Sequence, residues 1–237
     1  MGIKIFYAGK AKSPESISEL VRALLDRATA LRWRLKLVDE DLKGNFYPSW
    51  GEICSRIPTE EEKERFHIEF FPAMVSANSN GYYRIIDSPF ANPVREFFRR
   101  GEYPHFTLDT HVKGIILYPH KNCDPLDFVF DLKTKELFCY EFDEKYPDVI
   151  HGYPACSCKT QFAGFKNHVL VCKTVKLAEN FVDFSLIDDE ALYYHSKDLS
   201  TGLKNFNEKL QAIREEVNRM NERGGPSGWV TFAGDEI

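Results

Sequence analysis

A stripe of apolar residues at helical spacing, Ile17, Leu20, Val21, Leu24, Leu25, Ala28 and Leu31, runs between two strand-like segments and constrains this chain more than any other feature. Recurrence at three and four puts the stripe on one side of a helix, and a single apolar side has to be buried against a sheet. Ser13 is placed to cap that helix, with Pro14 at its first position, where the missing N–H costs nothing. Upstream, Ile3 to Ala8 reads as a buried strand and Gly9 to Ser13 as the turn leaving it. Downstream, Arg32 to Asp39 alternates, with Trp33, Leu35 and Leu37 on one face and Arg32, Arg34 and Lys36 on the other. The N-terminal segment is therefore a β-α-β unit.

The pattern returns further along. Lys4-Ile5-Phe6-Tyr7-Ala8-Gly9 is similar to Lys159-Thr160-Gln161-Phe162-Ala163-Gly164, and a helix follows each. Leu37-Val38-Asp39-Glu40-Asp41 is likewise similar to Leu186-Ile187-Asp188-Asp189-Glu190. These likenesses suggest an internal duplication, with halves over residues 1–105 and 106–223. Between the units, Thr59 to Glu62 forms a capping box ahead of a helix that Pro72 ends, Tyr82 to Asp87 reads as a strand, and Asn92-Pro93 starts a helix stopping at Gly101. A β-meander follows: Phe106 to Tyr118, Leu126 to Asp131 and Leu137 to Phe142, with turns at Asn122 to Pro125 and Lys133 to Lys135. Leu199 to Glu222 carries Leu203, Phe206, Leu210, Ile213, Val217 and Met220 as a heptad seam. Such a seam suits packing on its own sheet or a homodimer contact. Gly224 to Gly228 then opens a tail over 224–237. The expected class is α+β (mixed α/β), a single compact domain over 1–223.

The chain has 237 residues, 43% hydrophobic and 28% charged, enough to bury a core without disulfide staples. Aromatic residues make up 14%, which suits sheet faces and helix–sheet packing. Lys plus Arg number 31 against 36 Asp plus Glu, and the net charge of −5 argues against a dedicated binder of nucleic acid or anionic membrane. The longest apolar runs, such as Gly114 to Tyr118 and Val169 to Cys172, fall far short of the roughly 18 residues of a membrane span. Met1 to Phe6 lacks the features of a signal peptide, and the six cysteines, at 54, 123, 139, 156, 158 and 172, show no disulfide spacing. The expectation is a cytoplasmic protein with reduced thiols.

Two constellations offer chemistry. His105 to His111 alternates, so as a strand it directs His105, Asp109 and His111 to one face, a set suited to a divalent metal or to acid–base work, with His120 and Asp124 nearby in the next turn. The same pattern describes the wet side of an antiparallel strand. The second set is Cys156, Cys158, His168 and Cys172, four soft ligands for a structural zinc, although Cys-x-Cys is not the usual zinc knuckle. The acidic triplets Asp39 to Asp41 and Asp188 to Glu190 fall at predicted strand ends, where open α/β sheets place ligands, yet solvated turns account for them equally well. Gly9 supplies one glycine where a dinucleotide fingerprint needs three. Arg32, Arg34 and Lys36 point away from Trp33, so they form no stacking platform with it.

No hydrolase elbow, P-loop, Cys-x-x-Cys or His-Glu-x-x-His motif occurs. No cofactor is implied beyond a divalent metal such as zinc. A strong scaffold with weak chemistry points first to a non-catalytic protein that binds a partner protein or a small-molecule ligand. The alternatives are a metal-dependent hydrolase using the His/Asp set and a structural-zinc protein.

Overall fold

The computed structural model describes residues 2–48, 106–142, 149–153 and 155–222. The elements expected over 59–101, His105 and the tail over 224–237 lie outside the described residues. In chain order the elements are β1 (Lys4–Ala11), α1 (Pro14–Leu31), β2 (Arg34–Pro48), β3 (Phe106–Tyr118), β4 (Leu126–Asp131), β5 (Cys139–Phe142), β6 (Val149–Tyr153), β7 (Cys156–Lys159), α2 (Gly164–Ala178), β8 (Val182–Asp189), α3 (Tyr193–Ser196) and α4 (Leu199–Glu222). Helices combine with largely antiparallel sheets, an α+β architecture. No helix among the described residues is long and apolar enough to cross a membrane.

Helix α1 begins where its capping chemistry dictates, with Ser13 Oγ accepting from Ser16 N–H at 3.2 Å and Pro14 at the first position. It ends at Arg32, which takes a left-handed conformation at φ 56° while its N–H closes onto Ala28 and Thr29 carbonyls. Ile17, Leu20, Leu24 and Ala28 are buried, whereas Leu25 of the same stripe stands partly exposed.

A three-stranded antiparallel sheet has the order β7-β1-β8. Strand β1 runs on to Ala11, beyond the expected turn at Gly9, and absorbs a bulge between Ala8 and Gly9 against β8. A Cβ at Gly9 would lie 2.5 Å from the Asp183 carbonyl oxygen, so only glycine lets the two backbones approach so closely. The five-stranded sheet has the order β4-β3-β2-β6-β5, with β2 and β6 its parallel neighbours. Strands β3 and β4 pair as the meander expectation had it, but β5 pairs with β6 on the opposite edge. An isolated bridge pairs Phe130 of β4 with Leu137, two residues before β5.

The largest core joins both sheets with helices α1 and α2: Ile5 and Tyr7 of β1, Ile115 and Leu117 of β3, Phe128 and Phe130 of β4, the buried face of α1, and Val171 and Val175 of α2. Tyr7 locks the sheets together, its hydroxyl donating to the Asp127 carbonyl at 2.8 Å and accepting from the Asp127 N–H at 2.9 Å. A second core, of Val38, Leu42, Val112, Val129, Phe138 and Ile150, lies on the other face of the larger sheet. A third gathers Ile3 and Ala191 with Phe206, Ile213 and Val217 of α4.

The two hexapeptides whose likeness suggested a duplication take different conformations. Lys4 to Gly9 is strand throughout, whereas Lys159 to Gly164 ends β7, turns, and starts α2. Strands β7 and β8 flank β1 in one sheet, while β2 belongs to the other.

Candidate functional site

Strand β2 changes which face it buries partway along. Trp33 and Leu35 belong to the largest core, and on that same face Asp39, Asp41 and Lys43 follow into solvent. On the opposite face the order reverses: Arg34 and Lys36 are exposed, then Val38 and Leu42 enter the second core. Leu37, at the changeover, is 56% exposed.

Strand β3 pairs antiparallel along this whole length, with Lys43 opposite Asp109, Asp41 opposite His111 and Asp39 opposite Lys113. The result is a charged ladder. Lys43 Nζ lies 3.7 Å from Asp109 Oδ1, and Lys113 Nζ lies 2.9 Å from Asp39 Oδ2. The His111 ring is held between two carboxylates, Nδ1 to Asp41 Oδ1 and Nε2 to Asp39 Oδ1, each at 2.7 Å. The bonds to Asp41 and then Asp39 hold the His111 pKa above the ordinary imidazole range. Lys113 and then His111 hold the Asp39 carboxyl below its usual range. Asp109 and His111 therefore do share a face, as their alternation implies, but among the described residues that face is open and each side chain is already engaged by β2. Asp39 to Asp41 sits within β2, not at its end, because β2 continues to Pro48.

The second constellation divides. Cys156 and Cys158 of β7 point into the largest core, where Cys158 Sγ lies 3.5 Å from Cys123 Sγ and donates to the Asp124 carbonyl, while Cys156 meets Cys139. Contact with Cys139 and burial push the Cys156 thiol up, and burial followed by Cys123 does the same to Cys158. Neither joins His168. The residue that does is Asp189, the last of β8.

His168 and Cys172 are one turn apart on α2, and both are buried with Asp189. His168 Nε2 stands 3.0 Å from Asp189 Oδ1 and 3.4 Å from Cys172 Sγ, and that sulfur is 3.8 Å from Asp189 Oδ2. The outer contacts are equally definite. His168 Nδ1 lies 2.7 Å from Thr160 Oγ1, which donates to the Ile3 carbonyl, and the Asp189 oxygens accept from the Ala191 and Tyr194 N–H groups at 2.8 and 2.7 Å. Phe165 stacks on the imidazole and Phe206 of α4 covers it. Burial opposes the Asp189 charge, but the His168 contact and the two backbone donors outweigh it and hold the carboxyl below its usual range. Burial and the neighbouring Asp189 push the Cys172 thiol far up.

This is no nucleophile–base relay. In such a relay the nucleophile and the orienting carboxylate take opposite ring nitrogens, whereas here Sγ and the carboxylate both face Nε2. Asp189 was legible in the sequence only as part of an acidic triplet, and Thr160 only as a member of the hexapeptide Lys159 to Gly164. Nothing in composition or spacing says that either is buried.

The chain matches no family model, no curated protein and no solved structure. The site therefore has to be read from its own geometry.

Proposed function

We propose that this chain works by binding a partner protein rather than by catalysis, and that the charged ladder of β2 and β3 is the contact surface. The observation that carries this reading is a sheet face that no other described element covers. The same face is sealed by α1 and the largest core at Leu35, Ile115 and Leu117, yet at Asp39, Asp41, Lys43, Asp109, His111 and Lys113 the side chains are 39% to 73% exposed. Cross-strand pairing holds these groups in a fixed pattern of opposite charges, which favours a complementary partner over others. A small ligand is less well served by an open, flat face, because ligand sites are concave. The hydrolytic reading of Asp109 and His111 gains no support, since among the described residues neither side chain lines an enclosed site. A cytoplasmic setting, which keeps Cys123 and Cys158 as thiols, belongs to the same proposal.

A photo-activated cross-linking residue placed at Lys43 or Asp109 tests the reading in cells that make the chain, with a third placed at Leu25 as control. The expected result is a discrete protein adduct from positions 43 and 109 but not 25, reproduced with the purified partner and weakened about tenfold or more by Asp41→Lys in a chain of unchanged circular dichroism. Irradiation that yields no adduct at the ladder, or the same adducts from all positions, overturns it.

A further inference from the structure

We propose that His168 Nε2, Cys172 Sγ and the Asp189 carboxylate together hold a zinc ion, tying α2 to the end of β8. Three features of the cluster converge on this. The first is the placement of protons. Thr160 Oγ1 lies 3.3 Å from the Ile3 carbonyl oxygen and 2.7 Å from His168 Nδ1, and when the hydroxyl gives its proton to the carbonyl the imidazole proton sits on Nδ1. Nε2 then turns a lone pair toward Asp189 Oδ1 at 3.0 Å and toward Cys172 Sγ at 3.4 Å. In that tautomer two electron-rich atoms face each other in a buried site, an arrangement that a metal ion between them satisfies.

The second is size. With Zn–S near 2.3 Å and Zn–N or Zn–O near 2.0–2.2 Å, tetrahedral ligands are separated by roughly 3.3–3.6 Å. The separations here lie around that range: 3.0 Å from Nε2 to Asp189 Oδ1, 3.4 Å from Nε2 to Cys172 Sγ, and 3.8 Å from Sγ to the other carboxylate oxygen, Oδ2. Among the described residues this is the only group of three His, Cys, Asp or Glu side chains with ligand atoms so gathered.

The third is charge and orientation. A thiolate and a carboxylate bring two negative charges that Zn²⁺ cancels, leaving a neutral centre, as burial demands. Binding displaces the Cys172 thiol proton, and the imidazole proton if present, to solvent. Outer contacts of the metal-site kind are already in place: Nδ1 on Thr160, and the carboxylate on the Ala191 and Tyr194 N–H groups.

The test uses the full chain, freed of any purification tag and prepared without chelator. Elemental analysis should find about one zinc per chain, and chelation should lower the melting temperature by on the order of 5–10 °C, restored by zinc alone. Cobalt(II) added to the stripped chain should produce a thiolate-to-cobalt charge-transfer band, lost in Cys172→Ser and kept in Cys123→Ser. Should Cys172→Ser fail to fold, X-ray absorption on the zinc-loaded wild type decides: one sulfur with nitrogen and oxygen neighbours supports the site, and two or more sulfurs overturn it. A chain that is folded, metal-free and indifferent to zinc and cobalt also overturns it, leaving the His168–Asp189 contact as a buried hydrogen bond.

Discussion

His111 and His168 show how differently one residue type is used a few strands apart. His111 stands in solvent between Asp41 and Asp39, with Lys113 beside it on β3 and the Lys43–Asp109 pair further along the ladder. Its pKa in the folded chain lies above the unfolded value, so protonation favours folding. That contribution is fully present below an unfolded pKa of about 6.5 and is lost as pH rises through the folded value. Wild type should therefore lose more stability than His111→Gln between about pH 6 and pH 8, measured as urea midpoints at low salt. Identical pH slopes would show that the carboxylates do not hold the proton. The alternation around residue 109 was enough to put Asp109 and His111 on one face. It could not reveal that Asp39 and Asp41 come from β2 to meet them, because cross-strand register is a long-range property.

At the scale of elements, β2 carries two opposite amphipathic patterns end to end. Read over Arg32 to Asp39 alone it is a simple alternating strand. Over Arg34–Pro48 it is a strand that leaves one core and enters another on its other face. Its partner β3 is pinned by Gly114, where an added Cβ would lie 2.0 Å from the Phe128 carbonyl oxygen and 2.6 Å from Val129 Cα. Both are backbone atoms and cannot turn aside. Gly114→Ala should cost about 3 kcal/mol or more, through separation of β3 from β4, with the loss read from urea denaturation and from faster amide exchange in Leu126–Asp131. A variant of wild-type stability would mean that the strands are not so closely apposed. Helix α4 illustrates a choice that spacing leaves open. Its heptad seam suits a dimer or an internal contact, and here Phe206, Ile213 and Val217 are buried with Ile3 and Ala191 while Leu203 is left 44% exposed.

For the whole molecule, the decisive fact is that one core is shared by both sheets, with Tyr7 bonded across to Asp127. The sheets are therefore expected to unfold together. Far- and near-ultraviolet circular dichroism should follow one urea transition with the same midpoint, and two separated midpoints would show independent units. The α+β class, the cap and span of α1, and the positions of β3 and β4 could be read from the chain directly, since caps, turns and hydrophobic period are local properties. Which thiols and carboxylates meet was decided elsewhere. Cys156 and Cys158 lie closer in sequence to His168 than Asp189 does, yet β7 directs them into a different part of the core, and the end of β8 brings Asp189 to the imidazole. Local sequence governs the torsions and periodicity of each element, and only the packing of elements distant in sequence determines which side chains come within 4 Å of one another, and which of them water still reaches.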